Sequence, residues 1–179
     1  MPQKIVIFFI ILLAVILQSA VFSNVFFLGT GPNILLLLVI FWASREGFEK
    51  ALGKIILAGF ILDLASFHPV GMNIFSFVSV AFLVSFFSKR FLVASSSWYM
   101  PVLFFLIILS ALANELLLAG LFQLAGYFKS LPQAGLIFPL AGSILLKKIF
   151  LDILFFPIVY FLMLKNEKFL KLIVSKRMK

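Results

Sequence analysis

Long apolar runs, bounded by charged or turn-forming residues, constrain this chain more than any other feature of its sequence. A helix needs roughly 20 apolar residues to cross a hydrocarbon core of about 30 Å. Lipid offers no hydrogen bonds to a free backbone, so such runs are expected to be helical. The linkers are too short for a further domain. The sequence therefore predicts an all-α polytopic membrane protein, a six-helix bundle in a single transmembrane domain (1–179), with spans at about 5–22, 34–43, 51–66, 72–87, 101–124 and 140–164 and a basic tail at 165–179.

The composition argues against most soluble functions. The chain is 64% hydrophobic and 12% charged, whereas soluble domains are about 45–50% apolar and about 25% charged. The net charge of +9 comes from cations at the ends of apolar runs rather than on a polar face, so we expect no nucleic-acid partner. The sequence has no cysteine, and its single histidine, His68, cannot form a metal site alone. Recognisable catalytic pairs and phosphate-binding glycine loops are missing, so we predict neither an enzyme nor a cofactor.

The basic residues predict the orientation in the bilayer. With the N-terminus in the cytoplasm, twelve of the 15 Lys and Arg residues fall on the cytoplasmic side. Lys129 lies outside, and Lys147 and Lys148 lie within the sixth run. An excess of Lys and Arg in cytoplasmic segments is the usual determinant of membrane topology. We therefore expect both termini in the cytoplasm.

The second run is too short to cross a bilayer by itself. Its ten apolar residues, 34–43, rise only about 15 Å as a helix. Pro32 suits the first helical position, with Thr30 as its cap, and Asn33 follows directly. Such a helix is tolerated where protein or trapped water satisfies its backbone. We expect it to begin in a recess lined by protein.

Ionisable side chains within the runs are the first candidates for function, because each costs at least about 2.5 kcal/mol at the bilayer centre. Gly59, Asp63 and Ser66 follow an i, i+4, i+7 pattern, which predicts a small polar stripe that faces a neighbouring helix. The other four ionisable residues lie on spans five and six at similar depths, and we call them the polar lock: Glu115, Lys147, Lys148 and Asp152. Glu115 can meet Lys148 or Lys147, with Asp152 one turn further on as another partner. This pattern fits two roles: a structural lock between helices, and a path for protons or ions. The structural lock is favoured because the two carboxylates and two ammonium groups cancel each other's charge.

The residues after Asp63 predict a tight turn. Asp63 can accept hydrogen bonds from free backbone N–H groups of that turn, and Pro69 and Gly71 shape it, with Gly71 at positive φ. Asn73 is expected to cap the fourth helix. This turn would lie near the outer face, where it serves either as a docking site for a partner or only as part of the fold.

Two stretches resemble the MreD family of bacterial rod-shape-determining proteins. The first is Pro32-Asn33-Ile34-Leu35-Leu36, which opens a short apolar helix that ends in a charged turn. The second is residues 59–66, GFILDLAS, followed by Pro69-Val70-Gly71-Met72-Asn73. The total length and the cationic C-terminal tail also match. The pair Lys147-Lys148 departs from the family pattern, so the resemblance does not extend to the polar lock.

This resemblance implies a function beyond what the residues alone predict. Proteins of this family belong to the machinery of lateral peptidoglycan synthesis in the bacterial cytoplasmic membrane. Their implied partners are the bitopic protein MreC and, indirectly, the filament MreB, the glycosyltransferase RodA and a penicillin-binding transpeptidase. Their six-helix layout is similar to the substrate-binding S-components of energy-coupling-factor vitamin transporters.

Two functions are therefore weighed. The favoured one is a non-enzymatic scaffold that binds an MreC-like partner, maintains rod shape and directs lateral peptidoglycan synthesis. The alternative is a small-molecule-binding S-component of an energy-coupling-factor transporter. Such components often use an Ala-x-x-x-Ala face on the first helix, but Ala14 and Ala20 are six residues apart here.

Overall fold

All regular structure in the described part of the chain is helical. The computed structural model describes residues 2–22, 31–66, 69–91, 99–129 and 142–177, and side chains at 5–20, 31–66, 69–90, 102–121 and 146–166. The helices are α1 (Pro2–Ile16), continued by a π-helical segment (Leu17–Phe22), α2 (Ile34–Glu46), α3 (Phe48–Ala65), α4 (Met72–Phe91), α5 (Tyr99–Lys129) and α6 (Gly142–Arg177). Together with their apolar surfaces, they confirm the predicted all-α membrane bundle.

Helix α2 forms the centre of the bundle. Nine consecutive residues, from Leu35 to Ala43, are buried, so the helix is covered on every side. It packs against all five of the other helices. A helix that is apolar all round is buried either in protein or in a membrane. Here protein encloses the helix, which explains how a segment of about 20 Å, too short to cross the bilayer, exists in a membrane protein.

The outer helices present large apolar side chains on their outward faces. Phe9 on α1 is 61% exposed, Phe82 on α4 is 56% exposed and Phe161 on α6 is 68% exposed. A soluble monomer rarely exposes apolar surface on this scale. The outer surface of the bundle is therefore apolar where that of a soluble protein is polar, as expected for a surface in contact with lipid.

Three helical stretches are long and apolar enough to cross a bilayer, within the residues that the structure describes: Met72–Arg90, Val102–Leu121 and Leu146–Asn166. Ile5–Ala20 is a shorter apolar helix. The number of crossings and the limits of the six predicted spans stay predictions. The start of the sixth predicted span, 140–141, and the end of the tail, 178–179, lie outside the described residues.

A single glycine joins the buried helix to its neighbour. Gly47 has φ +81°, in the left-handed region that favours glycine. Beside it, Lys54 forms a salt bridge to Glu46 at 2.5 Å and lies 5.7 Å from the ring centroid of Trp42. The backbone N–H of Phe48 donates to Ser85 Oγ of α4 at 3.0 Å. These contacts hold α2, α3 and α4 together at this end of the bundle.

Candidate functional site

A buried carboxylate on α3 holds the start of α4. Asp63 Oδ2 accepts from the backbone N–H of Gly71 at 2.8 Å. Asp63 Oδ1 accepts from the backbone N–H of Asn73 at 3.0 Å and from Asn73 Nδ2 at 2.8 Å. We call Asp63, Gly71 and Asn73 the Asp63 clamp. Its backbone hydrogen bonds are those that the sequence predicts, and they supply acceptors to N–H groups that a helix start leaves unpaired.

Two glycines make the clamp geometrically possible. A Cβ atom on Gly59 would lie 2.7 Å from Ile74 Cα and 2.8 Å from Ile74 N, so only glycine lets α3 and α4 approach this closely. Gly71 has φ +107°, as predicted. Gly59 and Asp63 of the predicted polar stripe do face α4. The hydroxyl of Ser66 instead donates to the carbonyl of Leu62 in its own helix at 2.5 Å.

The prediction that Asn73 caps α4 is wrong. Asn73 is the second residue of that helix, and its side chain donates to Asp63 rather than accepting from its own helix. The capping acceptor comes instead from the neighbouring helix, because Asp63 is already directed at these N–H groups. An aspartate that caps in this way also places its charge at the positive end of the helix dipole.

The turn closed by the clamp is accessible although the carboxylate is not. Asp63 is 1% exposed, whereas Val70 is 64% exposed. Pro69 is also exposed, and its carbonyl accepts from the backbone N–H of Met72 at 3.3 Å. The clamp thus gives a fixed shape to a small exposed surface, which we call the Pro69–Val70 surface.

The start of the central helix is a second buried polar site. Helix α2 begins at Ile34, and the side chain of Asn33 is its cap, accepting from Leu36 N at 3.1 Å. The prediction that Pro32 takes the first helical position is therefore wrong, since Pro32 precedes the cap. The other expected cap, Thr30, lies outside the described residues. Pro32 and Asn33 are both buried, as expected for a helix that starts within protein.

Two distant helices supply further acceptors to this start. Asp152 Oδ1 of α6 accepts from the backbone N–H of Asn33 at 2.7 Å. Gln18 Oε1, in the π-helical segment, accepts from the backbone N–H of Leu35 at 3.2 Å. Sequence reasoning missed Gln18, although a lone amide near the end of an apolar run is a signal that could have identified it. With Asn33, these side chains satisfy three of the four N–H groups that a helix start leaves free.

The predicted polar lock is divided in the structure. Glu115 and Lys148 form a salt bridge and hydrogen bond between α5 and α6. Lys147 is exposed, so Lys148 is the partner of Glu115. Asp152 is fully buried and accepts a hydrogen bond from Asn33. The charges of Lys148 and Glu115 act on it, although no salt bridge joins it to Lys148 among the described residues, so its role as a further partner in the lock stays a prediction. Its second oxygen, Oδ2, has no hydrogen-bond partner among the described residues.

A third polar contact joins α4 to α5. Ser76 Oγ donates to Asn114 Oδ1 at 2.8 Å, with both residues buried. Ser76 was not predicted, because one serine in an apolar helix carries no distinguishing pattern. Ser76 lies one helical turn after Asn73 of the clamp, and Asn114 directly precedes Glu115 in the sequence. In the described residues no group of three or more His, Cys, Asp or Glu side chains could hold a metal ion.

Comparison with known families decides what kind of protein this is. The model of the family described as rod shape-determining protein MreD matches residues 2–166. The chain belongs to the MreD family. The Asp63 clamp, the α2 start and the Glu115–Lys148 pair all fall inside the matched region. No curated protein and no solved structure matches the chain.

Membership of the MreD family gives the chain a role in the determination of cell shape. MreD proteins are structural membrane proteins and do not form a known enzyme family. The expected similarity to S-components of vitamin transporters is not confirmed, and the transporter alternative is not favoured. The polar side chains described above accept hydrogen bonds from helix starts or pair with each other, which is chemistry that positions helices.

Proposed function

We propose that this MreD-family protein is a non-enzymatic scaffold of the bacterial cytoplasmic membrane that binds an MreC-like bitopic partner. Through that partner it directs lateral peptidoglycan synthesis and acts indirectly with MreB, RodA and a penicillin-binding transpeptidase. Family membership supports the role in cell shape. The partner and the site of contact are our proposals.

The Asp63 clamp is the observation that carries this proposal. A buried carboxylate with three hydrogen bonds orders a turn whose outermost residues contact little of the chain itself. A charge held away from water is costly unless it is fully hydrogen-bonded. Here the hydrogen bonds to the Asp63 carboxylate also fix the Pro69–Val70 surface. A preformed surface binds a partner without the cost of ordering it. We therefore assign partner docking to this surface.

Two variants separate docking from folding. Asp63→Ala removes the acceptor of three hydrogen bonds and should reduce capture of the MreC-like partner about tenfold in a detergent pull-down. Val70→Asp leaves the clamp intact and alters only the exposed surface, so it should also reduce capture while the apparent melting temperature stays unchanged. Cells that depend on either variant should lose rod shape.

A matched control places the same new carboxylate elsewhere. Lys50 is exposed on α3 far from Asp63, so Lys50→Asp should leave partner capture at the level of the unaltered protein. Normal capture by Val70→Asp would show that the partner does not bind the Pro69–Val70 surface. Loss of capture in Lys50→Asp as well as in Val70→Asp would indicate a general effect of added negative charge rather than a docking site.

The orientation of the scaffold is also a proposal. We place both termini in the cytoplasm and the Pro69–Val70 surface on the outer side, because twelve of 15 basic residues then lie inside. Reporter fusions after residues 50, 89 and 179 should give cytoplasmic signals, and a fusion after residue 69 should give an external signal. An external signal after residue 179 would contradict the arrangement.

A further inference from the structure

A groove runs along the surface of the bundle between α1 and α6, away from the Asp63 clamp. Its volume is about 310 Å³. Leu13 and Leu17 line one wall, Leu162 lines the other, and Leu38 of the buried helix α2 forms part of the floor. The lining is apolar except for Asn166, which lies at one end.

The groove exists because α1 and α6 both pack on the short central helix rather than closing on each other. Helix α1 packs on α2 and α3, while α6 packs on α2 and α5. Both walls reach the lipid-facing surface, since Leu13 is 59% exposed and Leu162 is 58% exposed. In a bilayer, an apolar depression that opens sideways is bordered by hydrocarbon chains, so its occupant must be apolar.

The length of the groove equals one leaflet. On α1 it extends from Val6 to Leu17, which is about 16 Å at 1.5 Å per residue. Half of a hydrocarbon core is about 15 Å. The groove ends where Ile34 begins the central helix. This length fits a single acyl chain. The volume of the groove is at the lower end for a ligand pocket, and it is too small for a helix about 10 Å across.

The charge at the polar end selects the headgroup. Lys165 is exposed and adjacent to Asn166. Residues 165–179 carry six Lys and Arg residues and one acid, Glu167. Basic residues next to the end of a membrane helix attract anionic headgroups. Apolar walls that lead to a cationic end match a phospholipid whose phosphate carries net negative charge.

We infer that this groove binds one acyl chain of an anionic phospholipid, with the phosphate held at Asn166 and Lys165. In the topology proposed above, this lipid belongs to the cytoplasmic leaflet. The bound chain lies in the gap between α1 and α6, against Ile34 and Leu38 of α2.

Native mass spectrometry of the purified full-length protein tests this binding. The probes are dioleoyl phosphatidylglycerol and dioleoyl phosphatidylcholine, which share acyl chains and differ in net charge. Phosphatidylglycerol should bind at least about fivefold more tightly, and Lys165→Gln should remove most of that difference, since one lysine near the membrane surface contributes an effect of this size. Leu162→Trp should reduce binding of both lipids about tenfold, because the indole occupies volume that the acyl chain needs.

Leu64→Trp on α3 is the matched control, because Leu64 is 56% exposed and does not line the groove; its lipid binding should be unchanged. If Leu162→Trp fails to give a monodisperse protein, Leu13→Trp repeats the test from the opposite wall. Equal retention of the two lipids would overturn the headgroup assignment. Equal losses in Leu162→Trp and Leu64→Trp, or retention of a partner protein but no phospholipid in the groove, would overturn the lipid site itself. None of these results depends on the Pro69–Val70 surface.

Discussion

The two buried aspartates each accept hydrogen bonds at the start of a helix, in two regions of the molecule. They differ in how many of their own oxygens have partners. Asp63 accepts three hydrogen bonds at the start of α4, through both of its oxygens. Asp152 accepts one from the described residues at the start of α2, and its other oxygen has no partner there. Each places its carboxylate at the positive end of a helix dipole. The helix start thus provides hydrogen-bond donors and favourable potential for a carboxylate deep in an apolar bundle.

The difference lies in how each site is assembled. Asp63 and its donors are 8 and 10 residues apart, so a single motif contains the whole clamp. Asp152 and Asn33 are 119 residues apart, and their contact depends on the packing of α6 against α2. A local site is determined by turn chemistry, whereas the distant one follows only from the complete bundle.

Substitution of each aspartate by alanine should give the largest losses of stability. The two losses should differ, and their order shows which aspartate stabilises the protein more. Asp63→Ala leaves two buried donors and one partly buried donor without an acceptor. Since each buried donor costs about 1–3 kcal/mol, we expect a loss of at least about 2 kcal/mol. Asp152→Ala leaves one donor unpaired and should cost about 1–3 kcal/mol. Thermal unfolding of the purified variants in one detergent would measure this order. Greater destabilisation by Asp152→Ala would show that the α2 start, not the clamp, is the more important of the two sites.

The close approach beneath the clamp gives the next largest effect. Gly59→Ala introduces a Cβ within 2.8 Å of the α4 backbone, and overpacking of this kind costs about 1–3 kcal/mol. Gly53 lies on the same helix with open space around it, so Gly53→Ala should be neutral or should stabilise by up to about 1 kcal/mol. The same unfolding measurement applies. If both glycines behave alike, close packing of α3 on α4 does not support the clamp.

Asparagine distinguishes the two carboxylates at smaller cost. In Asp63→Asn, an NH₂ group replaces one acceptor oxygen and faces a donor, so we expect a loss of about 1–3 kcal/mol. In Asp152→Asn, the amide oxygen can still accept from Asn33 while the NH₂ group takes the position of the unpartnered Oδ2. That variant should therefore lose less than about 1 kcal/mol. Equal losses would contradict the difference in hydrogen bonding between the two sites.

The Glu115–Lys148 pair should give the smallest effect, because both side chains are partly exposed and interhelical polar pairs in membranes average about 0.6 kcal/mol. Glu115→Ala should destabilise modestly, and adding Lys148→Ala should recover part of that loss. A double-mutant cycle on melting temperature measures the coupling. Lys147→Ala serves as the control, since Lys147 is exposed and should show no coupling to Glu115. Coupling to Lys147 instead would reverse the assignment of the pair.

The sequence predicts much of the fold because lipid imposes simple rules. Apolar runs had to be helices, and the short run 34–43 had to be enclosed by protein; both are found in α2. The turn after Asp63 was also predictable, since its glycines and the acceptor carboxylate lie within one local motif. The contacts of the turn are close along the chain, and the helical form of the apolar runs is required by the surrounding lipid.

The remaining polar contacts could not be predicted because they depend on the rotation of helices about their axes. The hydrogen bond between Asp152 and Asn33 could be predicted only with knowledge of which face of α6 meets α2. The same holds for Ser76 with Asn114 and for Gln18 with Leu35. Hydrophobic periodicity is weak when both lipid-facing and buried sides of a helix are apolar, so the sequence carries little information about that rotation.

The burial of α2 has a consequence for how the protein is made. The ten apolar residues of this segment leave the ribosome soon after α1, yet they are too short to remain in a bilayer on their own. Two of the acceptors for its first N–H groups, Gln18 and Asn33, are synthesised before or with it, whereas Asp152 arrives with the last helix. Until then the N–H of Asn33 lacks an acceptor, a condition that hydrocarbon penalises strongly. We therefore expect this segment to stay sheltered from hydrocarbon until α6 enters the membrane, and a chain that stops before residue 152 to be less stable than the full chain.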